Sequence, residues 1–176
     1  MTIKVDTISV TNGIETVTDA GTLTVTVNSA ASAGTLSVAN STSLVDNAAT
    51  AAGSYSAPTA DEAVSAAKAA GTVAGVAALT LKDVNAVLMP DTTSVTAVVT
   101  GPGSVSLNST LASATYATGG RVDSGTTSSG VIYAAFYADG NSGVSTITFS
   151  VGTTVVATET VTFYGAATKL TATAVK

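Results

Sequence analysis

Histidine, cysteine and tryptophan are absent from this 176-residue chain, and charged residues make up only 10% of it. Without cysteine there are no disulfides and no thiolate nucleophile, although that absence assigns no compartment. With neither histidine nor cysteine, a metal site would have to be built from oxygen ligands, which leaves calcium as the ion to consider. Aromatic residues are 5% of the chain while hydrophobic residues as a whole are 45%, so the core must be made of Val, Ala, Leu and Ile, with Phe and Tyr gathered in the second half. Six basic residues against eleven acidic ones leave a net charge of −5, which repels phosphate backbones and argues against nucleic-acid binding. No apolar run approaches the roughly 18 residues of a membrane span. The start, MTIKVDTISV, lacks the basic and apolar regions of a secretory signal. That beginning suits a chain not exported by that route, or a mature or excised piece.

What is abundant is Thr, Val, Ser, Ala and Gly, arranged with period two. The clearest stretch is Ser129 to Gly165, SGVIYAAFYADGNSGVSTITFSVGTTVVATETVTFYG, where alternating strands are joined by Asp-Gly-Asn and Gly-Thr-Thr turns. Ile3, Val5, Ile8 and Val10 alternate less strictly near the start. Leu23, Val25 and Val27 alternate cleanly with Thr22, Thr24 and Thr26, and a hairpin with GTLSVAN at Gly34 to Asn40 is expected. Further strands are expected in GVAALTL up to Leu81, in AVLM before Pro90, in SVTAVVT before the Gly101-Pro102-Gly103 turn, and in VSL from Val105. From Gly71 onward this makes about seven strands with turn signals every 8–12 residues, the count of an immunoglobulin-like sandwich. The terminal KLTATAVK alternates up to the last residue. It reads as the start of a further domain, as a strand added to a neighbouring molecule, or as the last strand or frayed tail of the sandwich.

One segment breaks the pattern. Pro58-Thr59 precedes ADEAVSAAKAAG, where Thr59 and Glu62 have capping-box spacing and Gly71 stands where a helix would end. Asp61 and Glu62 in the first turn and Lys68 in the last complement a helix dipole. The spacing predicts a short helix over 60–70, packed on the sheet as a crossover or linker. The fold expected is therefore all-β, with two Ig-like β-sandwich domains and one short helix between them. Its parts are an N-terminal β domain over 1–58, a helical linker over 59–71, and a sandwich over 72–176.

SVTAVVTGPGSVS at Ser94 to Ser106, YADGNSGVSTITFSVG at Tyr137 to Gly152, and ETVTFYGAATKLTATAV at Glu159 to Val175 resemble bacterial Ig-like domains. Arrays of those domains occur in surface-layer, invasin-like and adhesin-like proteins, and single copies decorate phage capsids and tails. The likeness covers roughly 71–175, and GTLTVTVNSAASAGTLSV reads as a degenerate copy of the same unit. What the resemblance implies is a structural module of an extracellular lattice or fibre, or of a virion surface, and not an enzyme.

Candidate sites are few. Asp139 and Asn141, with backbone carbonyls of ADGNSG at Ala138 to Gly143, resemble part of a calcium loop but lack its later bidentate Glu; a tight hairpin turn uses the same residues. Asp83, Asp91 and Asp123 could converge, though their spacing does not require it. Ser and Thr nucleophiles need an activating base, and no lysine is read as one. Paired acids for glycoside hydrolysis need an aromatic-lined cleft, which Asp61-Glu62 lacks. Among the aromatics, Tyr133 and Tyr137 share one face of their strand and Phe136 the other. Phe149 and Phe163 are expected to join Phe136 in the core, leaving tyrosines exposed for sugar or subunit contact. The function expected is non-enzymatic: an Ig-like module that assembles with copies of itself into a cell-surface layer or extracellular filament, with calcium as a possible stiffener. The alternatives are a phage capsid-decoration or tail component and a carbohydrate-binding adhesin module.

Overall fold

The computed structural model describes residues 2–24, 34–47, 50–51, 54–112 and 119–166. They fall into two compact units divided between Ser32 and Ala33. Every regular element among them is a strand.

The first unit is a hairpin of β1 (Thr2–Thr11) and β2 (Ile14–Thr24). Its turn is Asn12-Gly13, both with positive φ (53° and 76°), and Thr11 faces Ile14 across it. This is the primed two-residue turn whose twist matches the strands it joins. A register shift after Val5 sets Gly21 opposite Val5 and Asp19 opposite Asp6. Lys4 lies 3.4 Å from Asp19 and 3.7 Å from Asp6.

The second unit is a β-sandwich. Its strands are β3 (Leu36–Asn47), the short β4 (Thr50–Ala51) and β5 (Ser54–Tyr55), β6 (Val64–Ala67), β7 (Val73–Asp83), β8 (Ser94–Thr100), β9 (Ser104–Asn108), β10 (Val122–Thr126), β11 (Val131–Tyr137), β12 (Gly143–Val151) and β13 (Thr154–Tyr164). One sheet has the order β3-β7-β11-β9 and the other β10-β8-β12-β13-β6. All neighbours are antiparallel except β13 and β6. Alternation decides what lies between the sheets: Val95, Ala97 and Val99 of β8, Ile147 and Phe149 of β12, and Val161 and Phe163 of β13 meet Leu79, Ile132, Ala134 and Phe136 of the facing sheet. The rings of Phe136 and Phe149 sit 6.4 Å apart, tilted by 46°, within the range favoured by aromatic pairs.

Three expectations are corrected. The helix over 60–70 is absent: Val64–Ala67 is an edge strand, with Val64 opposite Val161 and Ala67 opposite Tyr164. Alanine's helix propensity is a weak preference in so short a segment. Here it yields to a ladder that buries Val64 between the sheets while Glu62 N–H donates to the Val45 carbonyl at 2.7 Å. Gly71, with φ 79°, donates to the Ala138 carbonyl at 2.9 Å in a turn and caps no helix. Secondly, β3 does not belong to an N-terminal domain ending at 58, because its ladder to β7 runs from Leu36↔Asp83 to Asn47↔Gly75. Nor do the first 24 residues make a second sandwich; they form a two-stranded hairpin. Thirdly, the expected pairing of the Gly21 strand with the Gly34 strand is replaced, since β2 pairs with β1 and β3 with β7. Residues 25–33 and the terminal KLTATAVK lie outside the described residues.

Candidate functional surfaces

Asp139 sits in the connection from β11 to β12. Its Oδ1 accepts the Asn141 backbone N–H at 2.9 Å. Hydrogen bonds from the backbone N–H groups of Gly103 and Asn141 hold its carboxyl below the ordinary carboxylate range. The carboxylate thus braces two turns at once, its own and the Gly101-Pro102-Gly103 turn between β8 and β9. Arg121 grips that second turn from the other side, donating from Nη1 to the Gly101 carbonyl and to that of Gly103 at 3.2 Å. Gly103 has φ 96°, and a Cβ there would come within 2.7 Å of the Phe163 ring. Asp139 and Asn141 are therefore together in space as well as in sequence, in a turn whose hydrogen bonds explain both residues. Among the described residues no group of three or more Asp or Glu side chains is placed to hold a metal ion.

The other three aspartates each serve a separate piece of backbone. Buried Asp83 accepts from Asn85 N–H at 2.8 Å and Val87 N–H at 2.9 Å, folding the loop after β7. Asp91 accepts from Ser129 N–H. Asp123 accepts from Leu107 N–H at 2.7 Å and Ser124 N–H at 2.8 Å, linking β10 to β9 across the open side of the sandwich.

The opposite side carries an acidic seam that spacing did not reveal. Asp61 Oδ1 accepts from Val45 N–H at 3.3 Å, so the loop before β6 is laced to β3. Burial raises the Asp46 carboxyl, and repulsion from Glu62 adds to it. Burial likewise raises that of Glu159, with repulsion from Asp61 adding to it and the nearby Ser43 hydroxyl opposing it. Only topology brings Asp46, Asp61, Glu62 and Glu159 near one another, because β3, β6 and β13 meet there. Ser65 and Lys68 stand at the spacing of a helical serine–lysine pair. In a strand, residues three apart face opposite ways, and Lys68 follows β6 with its N–H on the Tyr164 carbonyl at 3.0 Å.

The three phenylalanines are in the core as expected. The tyrosines are not left as an open strip. Tyr55, Tyr137, Val76 and Ala135 make a second buried cluster on the outer face of the four-stranded sheet, with Val73, Leu111 and Tyr133 against it. Tyr55 N–H donates to the Leu111 carbonyl at 2.8 Å and Ser54 Oγ to the same oxygen at 2.9 Å. Tyr164 alone of these is well exposed.

The outer face of the five-stranded sheet is different. Alternation sends Ser94, Thr96, Val98 and Thr100 outward from β8, Thr146 and Thr148 from β12, and Thr158, Thr160 and Thr162 from β13. No charged side chain stands among these outward positions.

Two packed sheets, crossed seams and an aliphatic core define a β-sandwich module. No protein-family model matches the chain, and no curated protein matches it. Among solved structures the chain is similar to a glycosyl hydrolase family 2 member from Bacteroides cellulosilyticus DSM 14838, at 16% identity and a TM-score of 0.40. The alignment covers 88% of this chain and 18% of that one, so the chain spans less than a fifth of that protein. A likeness at that score carries no argument about activity.

Proposed function

We propose that the protein is a non-enzymatic structural module that associates with copies of itself in a cell-surface layer or extracellular filament. The observation that supports this reading most directly is the N-terminal hairpin. Ile3, Val5, Ile8, Val10, Ile14, Val17 and Leu23 are all exposed on it, and they are divided between its two faces by strand alternation. A two-stranded hairpin on its own is marginal in water, and apolar surface on both faces suits burial in an assembly. The composition adds to this, because so few charges make a buried interface cheap to desolvate.

The sandwich edges refine the mechanism. Asp123 ties β10 to β9, and Asp61 and Glu62 tie the opposite seam. Edges blunted in this way discourage strand addition, so association falls to the hairpin and to the sheet faces. A capsid-decoration or tail role would use the same association on a virion, and calcium at Asp139 and Asn141 would stiffen the β11–β12 turn. For the carbohydrate-binding adhesin alternative, burial of Tyr137 removes one tyrosine of the strip it would use, leaving Tyr133 half-buried and Tyr164 exposed. The test is the mass in solution together with electron microscopy of the purified chain, with calcium and with chelator. Ordered sheets or fibres are expected, and their loss on chelation would implicate the Asp139 turn. A persistent monomer at high concentration in both conditions overturns the reading.

A further inference from the structure

The chain treats its two outer sheet faces unequally. Among the described residues of the sandwich it roofs the four-stranded sheet with Tyr55 and Leu111 and puts no such cover on the five-stranded sheet, where Val98 is 40% and Val144 60% exposed. Register sorts the bare face into rows across the strands: Thr100, Thr146 and Thr160 in one, and Val98, Thr148 and Thr158 in the next. Each threonine offers a methyl group and a hydroxyl that both donates and accepts. Such a face can be buried without stripping water from any charge.

We propose that this face is where a second copy of the chain packs, sheet against sheet, through the threonine–valine rows around Thr148 and Thr160. The inference rests on the self-association reading above and names the surface that carries it. Neutrality selects the occupant. A charged polymer would find no counter-charge in these rows, and among the described residues a glycan would find one exposed tyrosine, Tyr164, at the rim. A copy presents the same neutral rows, so its valines and methyl groups find apolar counterparts and its hydroxyls find partners, as in aligned sheet packing. None of the residues in these rows is charged, so the rows themselves bring no like charges together. Size sets the strength. Five strands at about 4.8 Å spacing span some 19 Å, and seven residues of β8 run about 23 Å. The footprint is therefore roughly 450 Å² per copy, and the total falls just short of the ~1,000 Å² expected of a stable interface. One such contact is weak and suited to repetition in an array.

The test is sedimentation equilibrium of the full chain alongside T158K and T160K, both at exposed strand positions, and T59K in the loop before β6 as a control. Thermal melts verify that each variant is folded. The result expected is at least a tenfold weakening of self-association in T158K and T160K, none in T59K, and no weakening of the wild type as salt is raised, since no ion pair is there to be screened. Wild-type association that survives both face substitutions, or that dissolves in salt, overturns this inference and leaves self-association to another surface. A wild type that stays monomeric overturns both.

Discussion

The carboxylate of Asp123 accepts the backbone N–H of Leu107 at 2.7 Å, so a side chain continues along β9 the edge pairing that Gly120 makes with Val105. β9 lies at the edge of one sheet and β10 at the edge of the other, and this bond joins them. Asp123→Ala should leave the buried Leu107 N–H without its partner and cost about 1–3 kcal/mol. Urea denaturation measures that cost, and light scattering should show faster aggregation through the freed edge.

The core makes a second prediction. Phe149 is fully buried against Phe136, and replacing it with alanine removes the ring from the centre of the sandwich. Phe149→Ala should lose about 3–5 kcal/mol, read as a lower denaturant midpoint.

Gly103 tests the turn that Asp139 and Arg121 hold. A methyl group there would meet the Phe163 ring at 2.7 Å and the Tyr137 carbonyl oxygen at 2.8 Å, on a backbone with φ 96°. Gly103→Ala should destabilise by more than about 1 kcal/mol, whereas Gly152→Ala, with φ 58° and open space around it, should cost less. A comparison of melting temperatures decides it.

The two acid groups with raised carboxyls and the one with a lowered carboxyl act on opposite sides of pH 4–5. Folding strengthens proton binding at Asp46 and Glu159, whose ordinary values are 3.8 and 4.5. Their contribution is therefore complete below those values and is lost as pH rises through the raised folded values. Asp139 is lowered from 3.8, so its contribution is present above 3.8 and is lost as pH falls through the lowered folded value. Stability should peak in mildly acidic solution and decline toward neutrality. Glu159→Gln should flatten that decline, and Asp139→Asn should flatten the acid limb, in melts recorded from pH 3 to 8.

Much of the sandwich was legible because burial in a two-layer sheet structure writes itself as period two. The alternation of β8, β11, β12 and β13 identifies the strands and puts Phe136, Phe149 and Phe163 inward. The Ala-rich segment before Gly71 differs from expectation for a physical reason: intrinsic helix propensity over a stretch as short as 60–70 is small beside a parallel ladder and a buried Val64. Asn12-Gly13 is the hairpin signal in the first unit, and it, rather than the cleaner alternation after Gly21, sets the pairing there. The acidic seam had no signal to find, since Glu159 is far in sequence from Asp61 and comes near it only because β13 and the loop before β6 do.

The sequence by itself determined that the protein is all-β, aliphatic in its core, poor in charge, and without thiolate or imidazole chemistry, because those properties follow from composition and from the two-residue repeat of a strand. Only the tertiary structure decided which faces are covered. Alternation sorts residues to two sides of a sheet but does not say which side another layer will meet, and that choice depends on contacts between segments far apart in the chain. Tyr55 and Leu111 close over one sheet, Asp123 and Asp61 seal the seams, and the threonine rows on the other sheet remain exposed.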